Sequence, residues 1–596
     1  MAVGRPRRAG ASPAARARDG AKAARGDAAR SEPARITGAE ALARRLAAHG
    51  VRRVFVAPGV AVAPTIAACD AAGIECVAAP NESAAGHAAL AAARLSDAAA
   101  VVLVGAGPGA IAALPIVASS FYDSIPLVLV SGQVGTADLL SRPHVRQRAF
   151  QEAPTPDLAR PIAKACLRPM LADAVAPAFE RAWRIAREGR PGPVLLDLPI
   201  DVQRGVIDDD EDDDDTKPPA APPVDVARVE SLADMLRQAG RPVLLAGQGV
   251  LLAHAGERLR EIAEMLGAPV ATTLLGVGAI PGDHPLCLGY AGRTGTAWAN
   301  RALQTADLVV AVGARLDESQ TGTRSDDFVP RGRVVRIDVD RHELEQSRVH
   351  AYLCIQGDAA EVLDALRSCL SPVSDDPLGA WRDQIARWRR ELPLDPRRPA
   401  QGVPPVELLR ALDRATTAAP LMVVTSVGLH QVWAARHLTF DHPQRVLLTP
   451  GGHATPASAV PAAIGACLAR PRERVLCVIG DGCLARSLSE LASVAAGGHD
   501  VKLVLLDNRR LAIVSQLEGE RAVAGPGEWD PLAFARALGI GAFDHPAGPV
   551  DAALLEAFLS ARGPALLRVP IDSSAEVSPL LLPGQTLDAM WPWHEA

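Results

Sequence analysis

Three residue types at one spacing stand out for chemistry. The run Val475-Leu476-Cys477-Val478-Ile479 leads into Gly480-Asp481-Gly482, and Asp507-Asn508 closes the next apolar run, Leu503–Leu506, with Asn508 lying 27 positions after Asp481. Such a separation suits one strand–helix–strand unit, so Asp481 and Asn508 are expected at neighbouring strand ends, where α/β sheets bind ligands. A carboxylate and an amide oxygen form a partial shell for Mg²⁺, which completes its octahedron with phosphate oxygens and water. Gly480 and Gly482 let a backbone approach a phosphate, and a following helix N-terminus favours its charge. For Gly-Asp-Gly alone, a strand-end turn with Asp481 as N-cap is the better explanation.

The elements around this pattern repeat along the chain. Short β-branched runs such as Val101–Val104, Leu127–Val130 and Val194–Leu198 alternate with alanine-rich stretches. The alternation continues through Val243–Ala246, Leu308–Val312 and Val334–Val339 to Val501–Leu506. Near-continuously apolar strands separated by helices predict parallel sheets covered on both faces. Leu484–Ala495 has helical periodicity and is expected as one helix. The fold class read from this is α/β, with three doubly wound parallel-sheet domains over residues 35–205, 226–370 and 406–575.

The remainder is expected to be tail and linker. Residues 1–34 are rich in Ala, Arg and Gly without a hydrophobic period and read as a disordered basic tail; an organelle transit peptide is the other reading. The acidic run Asp208–Asp215, followed by Pro218, Pro219, Pro222 and Pro223, reads as a linker over 206–225. Segments 371–405 and 576–596 read as a proline-rich linker and a C-terminal tail.

Across 596 residues, 62 Lys+Arg against 68 Asp+Glu give a net charge of −6, which argues against a nucleic-acid partner. Nine cysteines without a CxxC pair read as reduced thiols in a cytoplasmic protein. The uncharged stretch Ala98–Tyr122 could span a bilayer by length, but its glycines and prolines favour strand, turn and helix over a membrane span.

Beyond these derivations, the chain resembles the acetolactate synthase-like branch of thiamine diphosphate enzymes from residue 35 to 590. Gly-Asp-Gly with Asn508 matches that family's cofactor signature. Ala57-Pro58-Gly59 resembles its PGG segment and Asn81-Glu82-Ser83-Ala84-Ala85-Gly86-His87-Ala88-Ala89 its HEQGAGHAA. Gly107-Pro108-Gly109-Ala110, Tyr122-Asp123-Ser124-Ile125-Pro126-Leu127, Gly313-Ala314-Arg315-Leu316-Asp317 and Val427–Ala435 continue the likeness.

The resemblance implies thiamine diphosphate and Mg²⁺ as cofactors, with pyrimidine-binding, central Rossmann-like and diphosphate-binding domains in that order. Glu82 is implied as the carboxylate bonded to the aminopyrimidine ring, expected to be buried with a raised pKa. Gln133 and Lys164 are implied beside the reacting substrate, and Arg315 and Leu517 in substrate binding. Pro58, Gly59, Gly428, His430, Ala454, Pro456, Cys483, Arg510 and Ile513 join Gly480, Asp481, Gly482 and Asn508 around the cofactor, with Arg510 sharing the metal. The implied reaction is decarboxylation of a 2-oxo acid and carboligation, pyruvate to 2-acetolactate. Simple decarboxylation and a non-catalytic binding subunit remain the alternatives.

Because the family pairs the first domain of one subunit with the third of another, a homodimer or homotetramer is implied. The sequence departs from the family in three places. Its methionine, which wedges the cofactor and donates a backbone N–H, is Pro456, which has none to give. Its tryptophan at the second-substrate pocket is Leu517, and its Asn-Asn pair is Asp507-Asn508. Gly292–Thr296 with Ala299-Asn300 resembles a flavin-associated stretch, which leaves FAD open in the central domain.

Overall fold

The computed structural model describes residues 35–96, 98–142, 144–208, 223–372, 375–397, 399–518, 527 and 529–593. The basic tail and the Asp208–Asp215 run, apart from Asp208, lie outside the described residues. Three sheets of six parallel strands carry the chain, as expected.

In the first sheet the order is Glu75–Ala78, Arg53–Ala57, Ala100–Val104, Leu127–Gln133, Pro193–Pro199, Ala165–Leu167. Numbered within the domain, this is 2-1-3-4-6-5, and the third sheet repeats it: Arg445–Leu448, Leu421–Thr425, Arg474–Gly480, Val501–Asp507, Ala565–Pro570, Gly541–Asp544. The central sheet instead runs Cys287–Tyr290, Val270–Thr272, Pro242–Ala246, Leu308–Val312, Arg333–Asp338, Leu353–Gln356, which is 3-2-1-4-5-6, the dinucleotide-fold order. Strand order thus reverses beside Ala57 and Val104 in the first domain, Ala246 and Val312 in the second, Thr425 and Gly480 in the third. Ligands of open α/β sheets bind at such reversals.

The central strands are apolar along their length because helices cover both faces. Val101–Val104, Leu127–Val130, Val423–Val424 and Val475–Ile479 are at most 2% exposed. Ala98–Tyr122 resolves into the strand Ala100–Val104 and two short helices, Pro108–Ala112 and Leu114–Tyr122. Among the described residues no helix is long and apolar enough to cross a membrane.

Two regions differ from the expectation of linker and tail. Helix Gly379–Glu391 buries Trp381 and Ile385 on the central domain, and Leu581, Leu587 and Met590 join the same cluster. Trp381, Ile385 and Trp388 stand at i, i+4 and i+7, a helical period that the flanking prolines of 371–405 mask, whereas Leu581, Leu587 and Met590 follow no such period and are revealed only by tertiary packing. Leu484–Ala495 is two helices, Asp481–Ala485 and Leu488–Ala496. Ser487 breaks the run by bonding its hydroxyl to the Ala457 and Cys483 carbonyls.

The first and third domains of one chain are joined helix to helix, Glu82–Arg94 against Ala459–Ala469. Gly465 makes this possible: a Cβ there would lie 1.9 Å from the Ala88 carbonyl oxygen. Asn81 Nδ2 donates to Glu490 Oε1 at 2.9 Å across the same junction.

Candidate active site

The third domain holds a cavity of 270 Å³ at its strand reversal. Eleven residues singled out in the sequence line it together: Gly428, His430, Ala454, Pro456, Gly480, Asp481, Gly482, Cys483, Asn508, Arg510 and Ile513. Strand Arg474–Gly480 delivers Asp481 and strand Val501–Asp507 delivers Asn508, so the predicted adjacency holds.

Asp481 is 5% exposed. Its Oδ1 accepts from the Gly482 N–H at 2.7 Å, while Oδ2 is buried without a partner. Burial, helped by the Asp507 charge, pushes its carboxyl up to about 6. A buried carboxylate oxygen with nothing to accept from is the donor a divalent cation requires. Asn508 Oδ1 accepts from the Arg510 N–H at 3.1 Å and keeps acceptor capacity. Arg510 turns its guanidinium to the Ser515 hydroxyl, and a guanidinium has no lone pair for a metal, so only its main-chain carbonyl could ligate. Among the described residues no group of three His, Cys, Asp or Glu forms a metal site. Mg²⁺ would therefore take the rest of its shell from phosphate and water, a fit consistent with a diphosphate cofactor.

Beside Gly480, His430 lines the cavity with Nε2 unpartnered, and burial lowers its pKa to about 4, so it is neutral at pH 7. A Cβ at Gly428 would strike its ring at 2.7 Å, which requires glycine there. Cys483 donates its thiol to the Val427 carbonyl. Trp433, Leu511 and Arg486 also line the cavity; sequence reading missed them. Arg486 could have been found, since it follows Asp481 by five positions at the start of the same helical stretch.

The loop bearing Pro456 is held from the first domain. Buried Asp123 accepts from the Gly451 and Gly452 N–H groups, the latter at 2.5 Å. Tyr122 stacks on His453 at 5.6 Å, and the Ser119 and Thr455 hydroxyls bond at 2.9 Å. Ala454 and Ala457 adopt φ of +52° and +63°, where a Cβ is strained by about 1 kcal/mol each. Glycine would carry no such strain at either position. Ala457→Gly should therefore leave stability unchanged or raise it by up to about 1 kcal/mol, against the usual loss on introducing glycine. A thermal melt showing clear destabilisation would contradict that backbone.

The residues placed in the first domain form a separate group. Glu82 begins helix Glu82–Arg94 at an Asn81 N-cap and is only partly buried. Within a single chain this differs from the expected buried acid: the strand Glu75–Ala78 ends four residues earlier, and the intervening turn leaves Glu82 partly exposed. Its Oε1 lies 2.8 Å from where a Gly109 Cβ would stand. Gly59 packs on Gly105 and Gly107 on Gln151 so closely that a Cβ would meet their backbone at 2.7 and 2.4 Å. Pro58, beside them, is exposed.

Gln133 is fully buried with its amide turned inward, donating to the Ala153 carbonyl and Asp197. Lys164 donates to the Glu188 carbonyl at 2.6 Å, and burial lowers its pKa to about 8. Neither lines the Asp481 cavity, and no residue before Val427 does among those described. Leu517 falls in helix Ala512–Glu518; its side chain lies outside the described residues.

Arg315 pairs with Asp317 at 2.5 Å and lines a different cavity, of 370 Å³, at the central strand reversal. Gln248, Arg293 and Asp338 line it too, with Tyr122 and Gly452 from the other domains.

Comparison with protein families matches three models in order. The N-terminal thiamine pyrophosphate (diphosphate) binding domain of thiamine pyrophosphate enzymes covers residues 36–158. The central domain covers 229–366 and the C-terminal binding domain 426–569. The chain belongs to the thiamine pyrophosphate enzymes. It is an acetolactate synthase-like member. It is 33% identical over 557 residues to the Escherichia coli K12 acetolactate synthase isozyme 1 large subunit, covering 92% of this chain and 96% of the relative. Identity to the isozyme 2 large subunit is 34%, over 93% of this chain and 99% of that one. Identity to the mitochondrial catalytic subunit of Saccharomyces cerevisiae is 32%, over 93% and 83%. The enzyme therefore spans most of each of these relatives.

Proposed function

We propose that the enzyme, with thiamine diphosphate and Mg²⁺, decarboxylates a 2-oxo acid and joins the remainder to a second carbonyl, forming 2-acetolactate from pyruvate. The observation that carries this reading is the convergence of eleven cofactor positions on one cavity with an unpartnered carboxylate oxygen. When bound, the cofactor supplies the electron sink for the departing carboxylate. Asp481 and Asn508 hold the metal, and Gly480 and Gly482 admit the diphosphate. Neutral His430 offers a nitrogen without a charge. Glu82 would take up and release a proton at its carboxylate beside the bound cofactor's pyrimidine ring.

Because Glu82 stands apart from the cavity of its own chain, the working site is proposed to form in a homodimer, Glu82 of one subunit facing Asp481 of the other. Val60 and Phe150 support this: they are 79% and 85% exposed and adjoin Gly59 and Gln151, which pack on Gly105 and Gly107 in the first domain. Exposed apolar groups gathered at one edge mark an interface.

Incubation with pyruvate, thiamine diphosphate and Mg²⁺ tests the reaction, with acetolactate expected. Acetaldehyde alone would make the enzyme a decarboxylase. Neither product, with no Mg²⁺-dependent cofactor binding by calorimetry, would make it a binding subunit. Flavin absorbance of the purified chain decides whether the central cavity holds FAD.

Pro456 lacks the N–H that the family offers the pyrimidine, a bond worth on the order of 1 kcal/mol. Pro456→Met should tighten cofactor binding roughly tenfold in calorimetry. Unchanged affinity would mean that the strained loop presents the cofactor differently.

A further inference from the structure

A cavity of 430 Å³ between the central and third domains belongs to neither site above, and its size suits a small molecule. Trp298, Leu288 and Phe440 give it an apolar wall. Thr272 also lines it, is 2% exposed, and its hydroxyl has no hydrogen-bond partner. A buried hydroxyl left unpaired costs stability that a ligand would recover.

Elsewhere on the lining stand Arg389 and Arg410, exposed residues on separate helices. The Arg389 guanidinium lies over the Trp298 ring at 5.4 Å. Neither arginine has a carboxylate within ion-pair reach among the described residues. Nearby Asp395 is already shared by Arg436 and His437. Two uncompensated guanidinium groups, an aromatic wall and an unsatisfied hydroxyl describe complementary halves of one ligand.

We propose that this cavity binds an organic anion, a carboxylate with an aromatic or branched apolar body and a hydrogen-bonding group for Thr272. Helix Leu429–His437 reaches both cavities, with His430 at one end and His437 at the other. An occupant here therefore touches the helix that lines the cofactor cavity, although the proposal stands without the reaction assigned above.

The test is calorimetric titration of the full chain with 3-(4-hydroxyphenyl)propionate, where saturable binding is expected. Arg389→Gln with Arg410→Gln should weaken it roughly tenfold while leaving the thermal melt unchanged. Thr272→Val should weaken it roughly fivefold by removing the hydroxyl partner. No saturation up to about 10 mM, a range in which two charge-assisted bonds would register, overturns the proposal. Binding indifferent to the arginine pair overturns it as well, and binding indifferent to Thr272→Val overturns the assigned hydroxyl end.

Discussion

Glu82→Gln is expected to lower turnover about 100-fold or more while the chain folds and melts as before. The amide matches the carboxylate in shape but cannot exchange the proton. Stability should hold because the Glu82 carboxylate makes no hydrogen bond among the described residues; the Asn81 side chain caps the helix through Ala84. Glycine at 109 leaves the space the carboxylate occupies. Steady-state rates beside a thermal melt decide the matter: wild-type turnover in the variant would remove Glu82 from the chemistry.

Asp481→Asn should abolish Mg²⁺-dependent cofactor binding and yet make the metal-free protein more stable. Burial raises this carboxyl from 3.8 to about 6, so its ionised form is disfavoured in the folded state. The sign follows: the metal-free fold loses stability as pH rises from about 3.8 to about 6, by on the order of 3 kcal/mol in all, and above about 6 the loss is complete. The amide should recover part of that, about 1–2 kcal/mol at pH 7.5, and flatten the pH dependence. Asp507→Asn should act the same way more weakly, by removing a neighbouring charge. Denaturant unfolding at pH 5 and 7.5 in chelator measures both, and equal stability of Asp481→Asn and wild type at pH 7.5 would refute the burial cost.

Much of this site was legible because its residues are close in sequence to strand ends. Gly480, Asp481 and Asn508 sit where two apolar runs stop, and a parallel sheet brings consecutive strand ends together. The three-domain α/β architecture followed from the same runs. What escaped was set by tertiary contact. Whether Gln133 turns inward depends on Asp197, 64 positions away. The split of Leu484–Ala495 depends on Ser487 finding the Ala457 carbonyl. The positive φ at Ala454 and Ala457 belongs to a loop pinned by Asp123, about which local propensity says nothing. Nor could spacing tell that Glu82 and Asp481 of one chain would stand apart.

That separation is fixed by the glycine contact between helices Glu82–Arg94 and Ala459–Ala469, where Gly465 admits the Ala88 carbonyl. Backbone seated on backbone leaves no slack for a hinge, so a chain cannot fold its own Glu82 over to its own Asp481. The consequence is genetic. If the proposed homodimer shares its sites between subunits, two inactive alleles, one carrying Glu82→Gln and the other Asp481→Asn, should rescue each other when co-expressed, because a mixed pair contains one site with both carboxylates intact. Random pairing of equal amounts would restore roughly a quarter of the sites. The same two changes placed in one chain would restore none beside another such chain, yet a single wild-type partner would leave every site lacking one carboxylate.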